Sequence, residues 1–271
     1  MQALRNFIET RFPVAARHIR LARAERAASL PATALEGFRL ASPPLMLHPD
    51  WEAAEKHALL AALADRSVCV DIGSNVGYYA CLARSRGKKV IAIEPQPQNL
   101  AYLYRNLEYN GYFDVEVYPV GLSSKPGIER IYGSFDTSSF VPGWARWANP
   151  GKISTIVPVT TLDVLIGDRF SGDNVVIKMD VEGYEPEVLA GAPRTLALEP
   201  KPFWLVEVLL NDRSIPGGIN SQFRQIFETF WGYGYQAKTL DLRTVSRDEV
   251  KGYLARAAKG QPMQHTAFVF C

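Results

Sequence analysis

Residues 68–77 of the chain are Val68-Cys69-Val70-Asp71-Ile72-Gly73-Ser74-Asn75-Val76-Gly77, and Glu94 later follows the apolar run Val90-Ile91-Ala92-Ile93. This pattern predicts a buried strand, a turn that contains glycine, a helix, and a second strand that ends in a carboxylate. Glycines let the backbone approach a ligand closely, and the first turn of a helix offers unpaired N–H groups. A carboxylate after the second strand can accept hydrogen bonds from both hydroxyls of a ribose. The two segments therefore predict a site for a nucleoside cofactor.

The spacing of the glycines indicates which cofactor this is. A dinucleotide site requires G-x-G-x-x-G, but counted from Gly73 the second and third glycines are replaced by Asn75 and Tyr78. No G-x-x-x-x-G-K-[ST] motif for a nucleoside triphosphate occurs either. The observed spacing, Asp71-x-Gly73-x-x-x-Gly77, suits a ligand with an ammonium group and no phosphate, which describes S-adenosylmethionine. The alternative is a plain strand–turn–helix, in which Asp71 would have no packing reason to end a hydrophobic strand.

Composition excludes several classes of protein. With 271 residues, the chain can form one large α/β domain and an extension. Its 47% hydrophobic and 21% charged residues are typical of a soluble globular protein. The net charge of +2 argues neither for nor against nucleic-acid binding, but the main domain lacks a basic stripe, so we expect no nucleic-acid partner. The longest apolar run, Ala58 to Ala64, is shorter than the about 18 residues of a membrane-spanning helix. With no evident signal peptide and three cysteines, we expect a cytoplasmic protein with buried thiols.

The N-terminal 49 residues are predicted to be a helical extension and connector, followed by the main domain over residues 50–271. Residues 1–30 carry six arginines against two glutamates, beside apolar residues at helical spacing. Such a helix can pack on the main domain, or it can contact an anionic membrane surface or a partner chain. A short hairpin is expected before residue 44, and Asp50 is the predicted N-cap of a helix over residues 51–63.

Strands and helices alternate from residue 68 onward, which predicts a mostly parallel sheet covered on both faces. The predicted strands are 68–72, 89–93, 114–120, 174–180, 203–209, 235–240 and 266–270. The predicted helices are 76–86, 96–110, 185–198 and 220–231. Between the third and fourth strands lies an insertion with strands at 128–132 and 153–159 and a polar–aromatic loop at 133–152.

Charged residues also end the predicted strand at 174–180. In a doubly wound sheet, ligands bind beyond the carboxyl ends of the strands, so Asp71, Glu94 and Asp180 should meet at one edge. Alternation puts Lys178 and Asp180 on the same face of their strand. Buried charges are costly unless they are paired or used. Lys178 is therefore either a structural partner of a carboxylate or a functional group, and for Asp180 we favour a functional role.

Glu207 is the single charge in the next apolar strand, Phe203 to Leu209. It is either paired with Lys178 or Arg213, or it faces the ligand cleft. Asp180 and Glu207 could together bind a divalent cation, but no third ligand is evident, so we predict no metal site. The histidines show no metal-ligand spacing; they are His18, His48, His57 and His265.

The chain resembles the FkbM-type S-adenosylmethionine-dependent methyltransferases over about residues 50–210. The motifs that carry the resemblance are Val70 to Gly77, Glu94-Pro95, Thr161-Leu162-Asp163, Ile177-Lys178-Met179-Asp180-Val181-Glu182-Gly183-Tyr184-Glu185 and Val188 to Ala192. The resemblance implies a class I methyltransferase with a Rossmann-like, seven-stranded, mostly parallel sheet whose last strand is reversed. It also implies O-methylation, often of a hydroxyl on a sugar or a polyketide.

One departure from the class concerns the adenine. Many class I methyltransferases place an acidic residue after the third strand to bind the adenine amine, but here the sequence is Val120-Gly121-Leu122-Ser123. We therefore expect apolar contacts and backbone groups to hold the adenine. The residues expected to bind the cofactor are Asp71, Gly73, Ser74, Asn75, Gly77, Tyr78, Glu94, Pro95, Leu122 and Asp180.

Methyl transfer to a hydroxyl needs collinear reacting atoms and a group that removes the proton. Asp180 is the first candidate for contact with the methyl-transfer centre, and Glu182, Glu207 and His57 are weaker candidates for the proton acceptor. In the loop 133–152, aromatic and basic side chains suit a sugar acceptor, or else they only anchor the loop. The candidate acceptor residues are Trp144, Arg146 and Trp147.

Alternative functions remain at this point. A non-catalytic subunit could retain the cofactor pocket as a sensor, although Asp71, Glu94 and Asp180 are all intact. A nicotinamide-dependent reductase is disfavoured by Asn75, and a polyketide, a lipid or a nucleic acid could replace the glycan as acceptor. The expected partner is a small-molecule or glycan acceptor, and the sequence leaves the oligomeric state open.

Overall fold

The computed structural model describes residues 32–35, 37–42, 44–133, 138–144, 154–212, 214, 218–261 and 266–271. Fourteen strands lie in this part of the chain. They are β1 (Thr33–Ala34), β2 (Arg39–Leu40), β3 (Val68–Ile72), β4 (Lys89–Ile93), β5 (Glu116–Tyr118), β6 (Gly121–Leu122), β7 (Gly127–Tyr132), β8 (Ser154–Thr160), β9 (Val175–Met179), β10 (Phe203–Glu207), β11 (Asn211–Asp212), β12 (Gly218–Ile219), β13 (Ala237–Lys238) and β14 (Ala267–Phe270).

The central sheet has seven strands in the order β13-β14-β10-β9-β3-β4-β5. The five strands β10, β9, β3, β4 and β5 run parallel to one another. Only β14 is antiparallel to both strands beside it, β10 and β13. The structure confirms the predicted class I methyltransferase fold, including the reversed last strand.

Eight α-helices are described, and those of eight or more residues cover the sheet. They are α1 (Ala53–Leu63), α2 (Tyr78–Ser85), α3 (Pro97–Asn110), α4 (Leu162–Leu165), α5 (Glu185–Ala190), α6 (Pro193–Leu196), α7 (Phe223–Gly232) and α8 (Arg247–Ala257). Side-chain alternation along the strands divides the core into two layers. Ile72, Ile177 and Met179 belong to the layer beneath α7, whereas Cys69 and Val176 belong to the layer beneath α1 and α2.

Several predicted helix boundaries are wrong, each for a local reason. The predicted helix over 185–198 is two short helices, because Pro193 cannot continue the hydrogen-bond ladder and disfavours a helical residue before it. Asp50 is exposed and does not cap α1; the helix instead follows Glu52, whose φ is 45°. Helix α8 was not predicted, although the capping box of Ser246 and Glu249 marks its start.

The hairpin of β1 and β2 is joined to helix α3 by two asparagines one turn apart. Asn106 accepts a hydrogen bond from the Ala41 N–H (2.7 Å) and donates one to the Ala41 carbonyl (3.0 Å). Asn110 makes the same pair of bonds with the N–H and carbonyl of Arg39, each at 2.7 Å. The two side-chain amides thus make the hydrogen bonds that a neighbouring strand would otherwise make with this backbone. The backbone groups of Arg39 and Ala41 therefore have hydrogen-bond partners in the main domain.

The basic segment 1–30 lies outside the described residues. Among the helices that the structure describes, none is long and apolar enough to cross a membrane.

The insertion between β5 and β9 forms a separate three-stranded sheet in the order β6-β8-β7. Its strands β7 and β8 correspond to the predicted strands at 128–132 and 153–159 and pair antiparallel over six residues each. Strand β6 directly follows the edge of the central sheet, so the insertion stands at the carboxyl end of the parallel strands. That edge is where ligands bind in open α/β sheets.

Candidate active site

The turn after β3 is tied to the end of β4. The N–H groups of Gly73 and Ser74 both donate to the Ile93 carbonyl, at 2.9 and 3.1 Å. The Ser74 hydroxyl donates to the Asp71 carbonyl at 2.7 Å and accepts from the Ile93 N–H at 3.1 Å. Ser74 is buried by these contacts and is not among the residues that line the cleft described below. Its observed contacts fix the turn.

Both glycines of the turn are required by close packing within the protein. Gly73 has φ +77°, and a Cβ there would lie 1.9 Å from the carbonyl oxygen of Asp180. Gly77 has φ +86°, and a Cβ there would lie 2.4 Å from Leu103 Cδ1 on α3. The sequence predicted that glycines in this turn let the backbone approach a ligand, so a side chain at Gly73 would be expected to meet the ligand first. The first obstacle is instead the backbone at the end of β9.

A cleft opens beyond the carboxyl ends of the central strands, with an empty volume of about 590 Å³ that includes open solvent. Six of the predicted cofactor residues line it, namely Gly73, Asn75, Glu94, Pro95, Leu122 and Asp180. The other lining residues are Ile72, Ile93, Asn99, Val120, Gly121, Ile131, Ser138, Phe140, Val181, Glu182 and Tyr184.

Glu94 is buried in the wall of the cleft and is held by three N–H donors. Its Oε2 accepts from the Asn75 N–H at 2.8 Å, and its Oε1 accepts from the Gln96 N–H at 2.8 Å and from Asn99 Nδ2 at 3.3 Å. Burial raises the pKa of Glu94 to about 7, while these hydrogen bonds oppose the shift. The carboxylate therefore has a fixed orientation and lone pairs left to accept from a ligand.

Asn75 provides a second acceptor in the cleft. Its backbone is left-handed, with φ 51°, so that its N–H reaches Glu94. Its side-chain Oδ1 is buried without a hydrogen-bond partner among the described residues. A buried acceptor without a donor is costly. A ligand that brings N–H or O–H donors would satisfy it, which fits the ammonium and ribose hydroxyls of S-adenosylmethionine.

Four predicted cofactor residues do not line the cleft. Three of them are held elsewhere by packing within the protein, namely Ser74, Gly77 and Asp71. Ser74 and Gly77 have the contacts given above. Asp71 lies within β3, on the face opposite to Ile72, and is paired in register with Lys178 of β9. Because side chains alternate along a strand, Ile72 lines the cleft while Asp71 is buried beneath α2.

Tyr78, the fourth of these residues, belongs to an aromatic cluster. Its ring lies 5.5 Å from that of Phe38, 4.8 Å from that of Trp51 and 5.2 Å from that of Tyr79, all in edge-to-face arrangements. Phe38 comes from the N-terminal hairpin, so the cluster joins that hairpin to α2. The position after Gly77 therefore packs against the extension.

Lys178 is the centre of a buried polar network. Its Nζ lies 3.2 Å from Asp180 Oδ2 and 4.6 Å from the centre of the Tyr79 ring. The Tyr79 hydroxyl donates to Glu52 Oε2 at 2.7 Å. Burial raises the pKa of Glu52 to about 7 and that of Asp71 to about 6, and Lys178 opposes both shifts. The predicted structural pair of Lys178 with a carboxylate is thus present, and it includes the functional candidate Asp180.

The three predicted catalytic carboxylates meet at one place. An oxygen atom from each of Asp180, Glu182 and Glu207 lies within 4.8 Å of the others. Glu207 does not itself line the cleft, but it lies beside Asp180 and Glu182, which do. Such a cluster can accept a proton, and oxygen ligands of this kind also suit a hard cation. His57 is exposed on α1 and does not line the cleft.

Trp144 has a structural position. Its ring covers Gly183, where a Cβ would lie 2.6 Å from the ring carbons, and its Nε1 donates to Glu182 Oε2 at 2.8 Å. The side chain is buried, which favours the predicted alternative that this tryptophan anchors the loop. The other candidate acceptor residues, Arg146 and Trp147, lie outside the described residues.

A family model, described as the methyltransferase FkbM domain, matches residues 71–237 of the chain. The chain belongs to this family. The match confirms the predicted class of enzyme, an S-adenosylmethionine-dependent methyltransferase. It begins in β3 and ends in β13, so the N-terminal hairpin and β14 lie outside the matched FkbM segment.

Individual relatives of this FkbM methyltransferase were also found. The hexuronic acid methyltransferase AglP of Haloferax volcanii is 33% identical over 152 residues, which are 55% of this chain and 59% of the relative. The chain thus matches less than two thirds of the relative's length. Among solved structures, an O-methyltransferase from Bacillus cereus in complex with SAH is 16% identical, with a TM-score of 0.44 and coverage of 99% of this chain and 96% of that one.

A second solved structure is a precorrin-6y C5,15-methyltransferase from Geobacter metallireducens. It is 16% identical, with a TM-score of 0.41 and coverage of 85% of this chain and 91% of that one.

Two aromatic cleft residues, Phe140 and Tyr184, were not among the named candidate residues, although Phe140 lies in the loop 133–152 that was predicted to suit the acceptor. Tyr184 stands in the recognised motif Asp180 to Glu185, so its sequence position was a usable signal. Phe140 lies in the insertion, and nothing in its local sequence indicates that it turns toward β6. The third motif, Thr161-Leu162-Asp163, is structural: Asp163 accepts from the N–H groups of Arg194 and Thr195, each at 2.8 Å.

Proposed function

We propose that this chain is an O-methyltransferase that holds S-adenosylmethionine in the cleft and methylates a hydroxyl of a sugar or glycan. The observation that carries the proposal is the cluster of Asp180, Glu182 and Glu207 at the edge of a cleft whose wall contains Glu94. The cluster supplies proton acceptors at the edge of the cleft. Glu94 supplies the acceptor that a ribose requires.

The residues that would hold the cofactor follow from the geometry of the cleft. Glu94 would accept from the ribose hydroxyls, and the Asn75 Oδ1 would accept from a further donor of the cofactor. Leu122 and its neighbours would contact the adenine. When bound, the cofactor supplies an activated methyl group on sulfur. Asp71, Ser74, Gly77 and Tyr78 would act only through the packing that shapes the turn.

The charge of the cluster favours a hydroxyl over a carboxylate as the acceptor group. A hexuronic acid, the substrate named for the relative AglP, contains both groups. A carboxylate needs no base, and it would be repelled by three carboxylates at close range. A neutral hydroxyl must lose a proton, and the cluster can accept it. We therefore propose a methyl ether as the product.

Asp180 is the proposed catalytic residue. It lines the cleft, and its salt bridge to the buried Lys178 holds its charge in place. Glu182 is tied to Trp144, and both Glu182 and Glu207 lie within reach to share the proton. Lys178, Tyr79 and Glu52 would position Asp180 from within the protein.

The test uses the purified chain, S-adenosylmethionine with a labelled methyl group, and a panel of neutral sugars, sugar acids and glycan extracts. We expect label in a product that survives mild alkali, because a methyl ether is stable there and a methyl ester releases methanol. Alkali-labile label would contradict the choice of hydroxyl. Binding of the cofactor without transfer to any extract would favour the alternative of a cofactor-sensing subunit.

A variant pair tests the role of Asp180. Asp180→Asn should reduce turnover by about 100-fold or more, because general base catalysis contributes factors of this size. Its affinity for S-adenosylhomocysteine should stay within a few-fold of the wild type. The exposed Asp65, which pairs with the adjacent Arg66, provides the matched control in Asp65→Asn. Near-normal turnover of a folded Asp180→Asn variant would remove Asp180 from the mechanism.

A further inference from the structure

Part of the cleft lining is an apolar slot that contains two aromatic side chains. The rings of Phe140 and Tyr184 lie 5.0 Å apart with 36° between their planes. Leu122 and Ile131 line the same cleft. Gly121 allows this arrangement, because a Cβ there would lie 2.4 Å from Phe140 Cζ. Apolar and aromatic surroundings of this kind suit a purine ring.

A closed set of hydrogen bonds lies beside this slot. The Ser123 hydroxyl donates to Glu129 Oε1 at 2.7 Å, and the Tyr184 hydroxyl donates to Glu129 Oε2 at 2.6 Å. The two hydroxyl oxygens are 3.4 Å apart. Ser123 follows β6, Glu129 lies on β7 of the insertion, and Tyr184 precedes α5. Three separate elements thus converge on one carboxylate.

The positions of the hydrogens follow from the chemistry of the three groups. An ionised carboxylate can only accept, and each hydroxyl has a single proton to donate. With both protons directed to Glu129, the oxygens of Ser123 and Tyr184 can only accept from any further partner. Burial and Glu129 raise the pKa of Tyr184 to about 12, so its hydroxyl keeps that proton at neutral pH. Tyr184 is the member of this group that lines the cleft, so its hydroxyl would meet a ligand there as a hydrogen-bond acceptor next to the apolar slot.

We propose that the Tyr184 hydroxyl, held as an acceptor by Glu129 and Ser123, recognises the exocyclic amine of the adenine. This inference rests on the proposed function, because it takes the nucleoside in the cleft to be that of S-adenosylmethionine. It accounts for the missing acidic residue after the third strand of the sheet. The negative charge comes from Glu129 in the insertion instead. Because Glu129 accepts the Tyr184 proton, the Tyr184 hydroxyl oxygen can only accept a hydrogen bond from the ligand. A 6-oxo purine would direct a carbonyl at this acceptor and would be rejected.

The test needs no acceptor substrate. Calorimetry compares S-adenosylhomocysteine with S-inosylhomocysteine, in which an oxygen replaces the adenine amine. We expect the wild type to bind the adenosyl compound at least about tenfold more tightly, the size of one or two good hydrogen bonds. Tyr184→Phe keeps the ring beside Phe140 and should reduce this preference to about twofold or less, by loss of adenosyl affinity alone. Glu129→Gln should also reduce the preference, because its amide can donate to a hydroxyl and free the hydroxyl proton.

Glu94→Ala is the matched control, because it should weaken both compounds equally and leave their ratio unchanged. An unchanged ratio in Tyr184→Phe, or equal binding of both compounds by the wild type, would overturn the inference while the cofactor assignment stands. Failure of the wild type to bind either compound would overturn the proposed cofactor and this inference together. Thermal unfolding shows that each variant is folded before its affinities are compared.

Discussion

Asp71 within β3 and Glu94 just after the neighbouring strand β4 are two buried carboxylates with opposite surroundings. Glu94 is 4% exposed and accepts from three N–H groups at the cleft wall. Asp71 is 1% exposed, and neither of its oxygens has a hydrogen-bond partner among the described residues. Asp71 faces Lys178 across the pair of strands instead. One carboxylate is oriented by hydrogen bonds, and the other is stabilised mainly by the charge of Lys178.

The difference comes from where each residue stands relative to the end of its strand. Glu94 follows the last residue of β4, where the backbone leaves the sheet and N–H groups of the next turns become available. Asp71 is still within β3, where the neighbouring N–H groups belong to the ladder. A carboxylate past a strand end can therefore serve a ligand. A carboxylate one position before the end needs a countercharge.

The largest expected effect concerns that countercharge. Lys178→Met removes the cation and leaves Asp71, Glu52 and Asp180 close together in or near the core. We expect a loss of about 3 kcal/mol in the free energy of unfolding at pH 8, as for other broken buried pairs, measured by urea denaturation. Lys251→Met, which breaks the exposed pair with Asp248, is the control and should show no measurable change.

The same variant has an expected pH dependence. The pKa values of Asp71 and Glu52 are raised to about 6 and 7 in the folded protein. As the pH falls, both groups therefore bind a proton at a higher pH in the folded state than in the unfolded state. A carboxyl group whose pKa is higher in the folded state than in the unfolded state stabilises the protein at pH values below its ordinary pKa. This stabilisation is lost as the pH rises through the pKa of the folded state. The defect of Lys178→Met should therefore shrink between pH 8 and pH 5. A loss that is equal at both pH values would show that the carboxylates are not the cause.

The next effect in size concerns Glu94. Glu94→Ala removes the acceptor for the ribose and should weaken S-adenosylhomocysteine binding by one to two orders of magnitude, measured by calorimetry. Because burial raises the pKa of Glu94 to about 7, the wild-type affinity should fall as the pH drops below 7 and the carboxylate gains a proton. The variant should show no such fall. An effect below twofold would mean that the ribose binds elsewhere.

The sequence was sufficient for features that depend on local pattern. Alternating strands and helices predicted the parallel sheet. Residues near strand ends predicted the edge at which Glu94 and Asp180 line the cleft, but Asp71, the third residue predicted there, is buried within β3. Asp180 and Lys178 were correctly placed on one face because side chains in a strand alternate. These features follow from periodicity and topology, which a single sequence contains.

Features that depend on distant contacts could not be predicted. Tyr78 follows the glycine turn, and its neighbours are recognisable only when the hairpin with Phe38 is in place. Glu52 reaches Tyr79 from a left-handed backbone position that its sequence does not signal. Glu129 and Tyr184 are 55 residues apart, and their contact requires the insertion to fold over β6. In each case the partner comes from an element whose orientation the sequence pattern leaves undetermined.

The smallest expected effect concerns Asp71, and it tests the comparison with Glu94 most directly. Asp71 stands beside the glycine turn in sequence but faces away from the cleft. Asp71→Asn preserves the shape of the side chain and removes one carboxylate from the Lys178 network. We expect affinity for S-adenosylhomocysteine to stay within twofold of the wild type. Stability should decline less between pH 5 and pH 7, because the pKa of about 6 that causes part of the decline is gone. Added to Lys178→Met, the same change should restore part of the lost stability. A tenfold loss of affinity in the folded single variant would show that Asp71 acts on the cofactor, and the distinction between the two carboxylates would be wrong.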